Sequence, residues 1–235
     1  MIKKAVVLAA GKGTRMLPIT KNIPKHMIEI NGKPFLYYLL SALNDAGYDQ
    51  ISVIVNYKKE IIIDFLNENP SLNAKPFDLD EILGSAYAVG KIKEFVGNEN
   101  FIAVGGDNLW SARDLKAINI DDNLNYVAGY EVEDPSKYGV LVTGSDKLEK
   151  IYEKPKEFVG NLINTGLYKF TPEIFKAIER VEKSPRDEYE ITDALSSLAE
   201  KGKVNVVKLR DFWLDLGCPE DIPIVEDFLK ERVIV

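Results

Sequence analysis

The sequence predicts an α/β fold, a mostly parallel, doubly wound sheet with a smaller mixed β lobe. Three observations predict it. Short β-rich apolar runs alternate with helical patterns three times within residues 4–105. Parallel strands need crossovers of that kind. Two of the runs end in glycine, at Ala9-Ala10-Gly11 and at Gly105-Gly106-Asp107. After residue 125, strand-like runs crowd together and helices thin out.

Lys4 to Leu8 is apolar and β-branched, the pattern of a buried strand. Pro34 to Ala46 follows as a helix, with Phe35, Leu36, Leu39, Leu40 and Leu43 at helical spacing and Gly47 to stop it. Ile51 to Val55 is a second buried strand. Lys58 to Asn67 is a second helix, with Ile61, Ile62, Phe65 and Leu66 on one side. A short strand is expected near Lys75 to Phe77, a third helix over Ser85 to Phe95, and a third clear strand over Phe101 to Val104. Tyr126 to Val132, Gly139 to Val142, Leu148 to Glu153 and Leu162 to Phe170 read as strands. Pro172 to Val181 and Ile191 to Lys201 read as helices. Val204 to Leu209 and Phe212 to Leu214 are short strands, and Glu220 to Arg232 is a closing helix. No linker, low-complexity tract or fixed repeat divides the chain. One domain over 1–235 is expected, with lobes of about 1–125 and 126–235.

Composition narrows the function. The chain has 235 residues, 46% of them hydrophobic and 29% charged, the profile of a soluble globular protein. Thirty Lys and Arg against 37 Asp and Glu leave a net charge of -7, a poor surface for binding nucleic acid. There is 1 His and 1 Cys, which excludes an internal disulfide, His-rich metal sites and histidine relays. No apolar run approaches the ~18 residues of a membrane helix. The N-terminal apolar stretch is too short for a signal peptide, so a cytoplasmic protein is expected. Homo-oligomerisation is left open.

In doubly wound sheets ligands bind beyond the carboxyl ends of the strands. Gly11 to Arg15 and Gly106-Asp107 should therefore face one crevice. Gly11-Lys12-Gly13-Thr14-Arg15 can bring backbone N–H groups close to an anion. It is not a dinucleotide fingerprint, because Met16 stands where the third glycine belongs, and no Gly-Lys pair completes a P-loop. Arg15 and Lys25 add fixed cations suited to phosphate oxygens.

Leu8-Ala9-Ala10-Gly11-Lys12-Gly13-Thr14-Arg15-Met16, with Pro24-Lys25-His26-Met27 and Gly32-Lys33-Pro34, resembles the signature of the sugar-1-phosphate nucleotidylyltransferases. The likeness continues in order through Gly106-Asp107, Tyr138-Gly139-Val140, Glu153-Lys154-Pro155 and Asn164-Thr165-Gly166-Leu167-Tyr168. It ends with Glu188 to Asp193 and Trp213-Leu214-Asp215-Leu216-Gly217. These closing motifs are similar to the glucose-1-phosphate thymidylyl- and uridylyltransferase branch, in a short form without a β-helix domain.

The resemblance implies a Rossmann-like nucleotidyltransferase core, with the nucleotide on the first lobe and the sugar on the second. It implies transfer of a nucleotidyl group from an NTP, dTTP or UTP, to a sugar 1-phosphate such as glucose 1-phosphate. The products are an NDP-sugar and pyrophosphate, and Mg²⁺ assists. Arg15, Lys25 and Asp107 are the implied catalytic residues. Leu8, Ala10, Gly11, Gly13, Thr14, Arg15 and Gly84 would hold the nucleotide. Gly139, Glu153, Lys154, Asn164, Tyr168 and Trp213 would hold the sugar phosphate, and Asp107 and Asp215 the metal. The reaction suits a chain poor in His and Cys, because the attacking phosphate oxygen is already ionised and needs no general base.

Plainer readings exist for several of these residues. Asp107 can cap a turn, Tyr168 and Trp213 can be core aromatics, and His26 can be a hydrogen-bonded, partly buried histidine. Glu188 and Glu190 fit a helix N-terminus. One departure matters. The branch often reads its pyrimidine with a Gln five residues before the Gly of Gly84-Ser85-Ala86. Here that position is Leu79, and Gln50 is the sole Gln. Asp80 or Glu81 could substitute, so the base stays open among UTP, dTTP, CTP and GTP. A cytidylyltransferase acting on a phospho-alcohol and a non-catalytic regulatory subunit are the alternatives.

Overall fold

A computed structural model describes residues 1–232; the last three residues of the expected 1–235 span lie outside the described residues. The first half alternates as expected: β1 (Lys4–Leu8), α1 (Phe35–Asp45), β4 (Gln50–Val55), α2 (Lys59–Glu68), β5 (Ala74–Asp78), α3 (Ser85–Lys91) and β6 (Phe101–Gly105). Along β1, alternate side chains enter opposite cores. Ala5 and Val7 join the face covered by α1 and α2, and Val6 joins the face covered by α3. This two-sided burial explains why β1 reads as a continuous apolar run.

The second half contributes β8 (Asn125–Glu131), β9 (Gly139–Gly144), β10 (Lys147–Glu153), β11 (Leu162–Phe170), α6 (Glu173–Ile178), α7 (Ile191–Ala199) and β12 (Val204–Lys208), and α8 (Asp221–Arg232) closes the described chain. All these strands join the first sheet, in the order β5-β4-β1-β6-β11-β8-β12-β10-β9. Here the expected mostly parallel sheet needs correcting. Parallel pairing holds from β5 to β6 and between β8 and β12, and the other pairs are antiparallel. The sheet is mixed, and its last five strands close into a small barrel through the pair Ile163–Val140.

The cause lies in β11. Its carboxyl half, Leu167 to Phe170, pairs with β6, while Ile163 in its amino half pairs with β9. A register shift between Asn164 and Tyr168, around Gly166 at φ 75°, bends the strand from sheet into barrel.

Sequence periodicity missed the shortest elements. β2 (Glu29–Ile30) and β3 (Lys33–Pro34) form a hairpin, with Asn31 and Gly32 both at positive φ. An Asn-Gly pair is the standard signal for such a turn. β7 (Asn108–Trp110) and α5 (Ala112–Ala117) follow Asp107, and the Ser111 hydroxyl caps α5 by accepting from the Asp114 N–H at 3.0 Å. The single helix expected over Ser85 to Phe95 is broken at Ile92 into α3 and α4 (Lys93–Val96). β13 (Trp213–Asp215) pairs antiparallel with β7.

Gly84 enters α3 at φ 109°, and a Cβ there would lie 2.5 Å from the Tyr189 carbonyl oxygen. That backbone carbonyl is itself held by the Ala86 N–H at 2.9 Å and cannot retreat. Gly84→Ala is expected to cost about 2–4 kcal/mol in urea denaturation. Gly97→Ala, at φ 63° with nothing near its Cβ, should cost about 1 kcal/mol.

Candidate active site

The carboxyl ends of β1 and β6 meet where Gly106 N–H donates to the Leu8 carbonyl at 2.9 Å. This contact brings the glycine loop and Asp107 to one crevice. Gly13 begins a short 3-10 turn over Thr14–Met16 in the left-handed region, at φ 62°. A Cβ there would press within 3.2 Å of Lys25 Cβ, so the loop and Lys25 interlock only around glycine. Met16 is fully buried beneath the turn, while Gly11, Thr14 and Arg15 face outward.

Lys25 is buried, and its ammonium donates to Asp107 Oδ2. Asp107 Oδ1 accepts from the Asn108 amide at 2.9 Å. The β7–β13 pair sets Asp215 opposite Asn108, and the Leu216 N–H donates to the Asp107 carbonyl at 2.8 Å. Asp215 thus lies beside Asp107, although the two are far apart in sequence. Arg15 reaches the same corner: a Cβ on Gly217 would lie 2.9 Å from Asp215 Oδ2 and 3.5 Å from an Arg15 guanidinium nitrogen.

These charges act on one another. Burial and the neighbouring Asp107 carboxylate push Asp215 up to about 7, against the pull of Lys25 and Arg15. Asp107 is held below its ordinary value. Burial would raise it, but Lys25, by charge and hydrogen bond, outweighs that. An acid whose folded value is raised stabilises the fold when protonated. That contribution is complete below about 4 and is lost as the pH rises through 7. A divalent cation at the pair would reverse the loss. Mg²⁺ is therefore expected to raise Tm at pH 8 and hardly at all at pH 5, by differential scanning calorimetry; equal shifts at both pH values would place the cation elsewhere.

His26 does not fit the reading of a hydrogen-bonded, partly buried histidine. It is buried, and its Nδ1 has no partner among the described residues. Burial first, then the Lys25 charge, lower its pKa to about 4 despite Asp107, so it is neutral at pH 7.

The remaining expected residues form two groups. A pocket of about 210 Å³ beside the glycine loop is lined by Leu8, Ala10, Gly11, Leu79, Gly84 and Glu188, among others. Leu79 is buried, and its carbonyl accepts from the Asn56 amide at 2.7 Å. Asp80 is turned to other partners, the Tyr87 hydroxyl at 2.9 Å and Lys91 at 2.7 Å. Glu190 pairs with Arg186 at 2.9 Å, a structural role, whereas Glu188 at the pocket wall was not expected there. Glu188 lies in the closing motif Glu188 to Asp193, and its helix N-terminus reading gave no reason to place it at the pocket wall.

The second group gathers at the mouth of the barrel. Glu153 pairs with Gly139 across β9 and β10, and a Cβ on Gly139 would lie 3.1 Å from Glu153 Oε2 and 3.8 Å from Asn164 Cβ. The Asn164 amide donates to the Tyr168 hydroxyl at 2.8 Å. The Tyr168 ring itself is buried and stacks on Phe170 at 5.4 Å. Lys154 is exposed at φ 43°, just beyond Glu153. Trp213 meets Tyr138 edge-on at 5.3 Å, and its indole N–H donates to Asn108 Oδ1 at 2.7 Å. Asn108, absent from the sequence reading, therefore joins the barrel mouth to Asp107.

Cys218 follows Gly217 and contacts Asp221 Oδ2 at 3.3 Å. Hydrogen bonding to Glu220, desolvation and Asp221 push its thiol up to about 11, away from reactivity. Among the described residues no helix is long and apolar enough to cross a membrane.

Residues 4–232 match the family of the nucleotidyl transferases. The chain is 37% identical over 233 residues to the bifunctional protein GlmU of Methanocaldococcus jannaschii, covering 97% of this chain and 55% of that protein. It is also 37% identical to the UTP–glucose-1-phosphate uridylyltransferase AglF of Haloferax volcanii, covering 97% of each. The chain thus spans about half the length of its GlmU relatives and nearly all of AglF. A solved structure of UDP-glucose pyrophosphorylase complexed with UDP-glucose superposes with a TM-score of 0.86 at 27% identity, covering 99% of this chain and 100% of that one.

Proposed function

The chain belongs to the nucleotidyl transferase family, and we propose that it transfers a uridylyl or thymidylyl group from the triphosphate to a sugar 1-phosphate, with glucose 1-phosphate the favoured acceptor. The observation that carries this reading is the convergence of Lys25, Asp107, Asp215 and Arg15 between the glycine loop and the barrel mouth. AglF and the UDP-glucose pyrophosphorylase structure support the choice of uridylyl and glucose.

The sugar phosphate oxygen attacks the α-phosphorus, the bond to the bridging oxygen breaks, and pyrophosphate leaves with its electron pair. No proton need move, so the protein's task is alignment and charge neutralisation. Backbone N–H groups of Gly11 to Thr14 hold the triphosphate. Arg15 faces the leaving phosphates, where charge accumulates. Lys25 moves from Asp107 toward the reacting phosphates as substrate binds. Glu153 and Asn164 accept and donate to sugar hydroxyls, the Gly139 backbone leaves room for the ring, Tyr168 fixes Asn164, Trp213 walls the pocket, and Lys154 meets the sugar phosphate. The nucleobase enters the pocket floored by Leu79.

Asp107 and Asp215 fit Mg²⁺. They offer hard oxygen donors, and the burial and mutual repulsion that together raise Asp215 are what a cation offsets. Among the described residues no group of three or more His, Cys, Asp or Glu side chains is placed to hold a metal, so phosphates and water would complete its shell. When bound, Mg²⁺ offsets negative charge on the phosphates and aids their alignment. The reaction is expected in the cytoplasm, on one 1–235 unit whose nucleotide and sugar lobes meet at Asn108.

The test is pyrophosphate release with Mg²⁺ and glucose 1-phosphate against dTTP, UTP, CTP, GTP and ATP. Release with UTP or dTTP is expected, and silence with all five would remove glucose 1-phosphate as acceptor. The Leu79 side chain offers the base no hydrogen bond, and uracil and thymine share the same hydrogen-bonding edge, so UTP and dTTP should differ little. Leu79→Gln restores an amide able to donate and accept, and should raise the preference for UTP over CTP about tenfold in kcat/KM.

A further inference from the structure

We propose that Asn108 is a positioning residue that ties the wall of the sugar pocket to the cation-binding carboxylate. This rests on the function proposed above. The side chain stands between two groups that each accept only one kind of partner. Asp107 Oδ1 can only accept, and it takes the Asn108 amide N–H at 2.9 Å. The Trp213 indole N–H can only donate, and it gives to Asn108 Oδ1 at 2.7 Å. These partners fix which way the amide points, with no freedom to flip.

Each end of the link has a consequence. On the Asp107 side, the amide occupies Oδ1 while Lys25 holds Oδ2, so the carboxylate is pinned in one rotation. On the Trp213 side, the indole is anchored at its nitrogen and its ring is set edge-on to Tyr138 at 5.3 Å. The backbone adds rigidity. Asn108 begins β7 and sits in register with Asp215 on β13, so Asn108, Asp215 and the indole share one two-stranded ribbon that starts directly after Asp107. Asp has no donor, Leu has neither donor nor acceptor, and Gln is a methylene too long. Asn makes both contacts at this spacing.

A substitution in the sugar wall should therefore reach the cation. Trp213→Phe keeps an aromatic ring, smaller than the indole, and removes the donor. Asn108→Leu keeps the volume and removes both hydrogen bonds. The experiment titrates Mn²⁺ by electron paramagnetic resonance against wild type and both variants, without and with UTP, alongside thermal melts and steady-state kinetics. The expected result is a Mn²⁺ affinity weakened about fivefold in Asn108→Leu and at least twofold in Trp213→Phe, with each Tm close to wild type. kcat should fall at least tenfold in Asn108→Leu, and in Trp213→Phe the KM for glucose 1-phosphate should also rise.

A local sugar wall would change that KM and leave Mn²⁺ affinity untouched, and this result in Trp213→Phe overturns the link. If Asn108→Leu fails to fold, Trp213→Phe decides alone. Wild type that binds no Mn²⁺ with or without UTP removes Asp107 as a cation ligand, and the link with it. Wild type that binds Mn²⁺ but turns over no sugar phosphate sinks the proposed function instead, and the Mn²⁺ titrations still decide the role of Asn108.

Discussion

Asp107→Asn is expected to abolish pyrophosphate release, by about three orders of magnitude in kcat, while the protein stays folded. The side chain keeps its size and its place between Lys25 and Asn108. What it loses is the charge. An amide is a poor ligand for a hard divalent cation and presents an N–H where Lys25 and Asn108 both need an acceptor. Removing one member of a buried ion pair usually costs about 3–5 kcal/mol, because the partner is left uncompensated. Here the cost should be smaller, about 1–3 kcal/mol, because Asp215 lies next to Lys25 and can take its charge. Relieved of its neighbour, Asp215 should also fall back toward an ordinary carboxylate. Parallel measurement of rate and circular-dichroism melting separates the two effects. Near-normal turnover in the folded variant would take Asp107 out of the site.

Much of this arrangement was legible in the sequence, and the reason differs from element to element. β1 and β6 are buried on both faces, so each is a solid apolar run, and the glycine that ends each one marks where a ligand can approach. Amphipathic α1 and α7 carry their periodicity openly. What escaped is non-local or too short to have a period. β13 is legible as a strand over Phe212 to Leu214, but the three-residue β7 is not, nor is the pairing of the two that carries Asp215 to Asp107. No window along the chain reveals a contact across such a distance; only the family motifs hinted that the two belong together. The barrel escaped because one strand, β11, serves both the open part of the sheet and the barrel through a bulge, and a sequence pattern assigns each strand a single role. Asn108 escaped because its role depends on having an acceptor-only and a donor-only partner on opposite sides, a fact of three-dimensional geometry. Leu79 could be read from sequence only as a departure. That it is buried, and that Asp80 is occupied by Tyr87 and Lys91, is visible only in the fold.

Lys25→Met should produce the other large effect, and its pH dependence distinguishes it from Asp107→Asn. The ammonium is buried against Asp107 and lowers both carboxylates of the pair. Replacing it with an uncharged chain of similar length leaves Asp107 and Asp215 facing each other, with Arg15 still lowering Asp215. Both acids then rise. A carboxyl group whose folded value is raised contributes stability while protonated and loses it as the pH climbs through that value. The variant should therefore be close to wild type at pH 5 and less stable by about 2–4 kcal/mol at pH 8. The trend is that of any lysine–carboxylate pair, whose contribution fades in acid, but it is enlarged here because two buried carboxylates lose one cation. Turnover should fall about 10²–10³-fold, because among the described residues no other buried lysine or arginine lies beside Asp107. Whatever rate remains needs the carboxylates ionised, so the acid limb of its pH–rate profile should move to higher pH than in wild type. Urea melts at pH 5 and pH 8, with kcat measured from pH 5 to 9, test both halves. Equal destabilisation at the two pH values would mean that Lys25 supports the fold by packing alone. An unmoved acid limb would mean that its charge does not reach the pair.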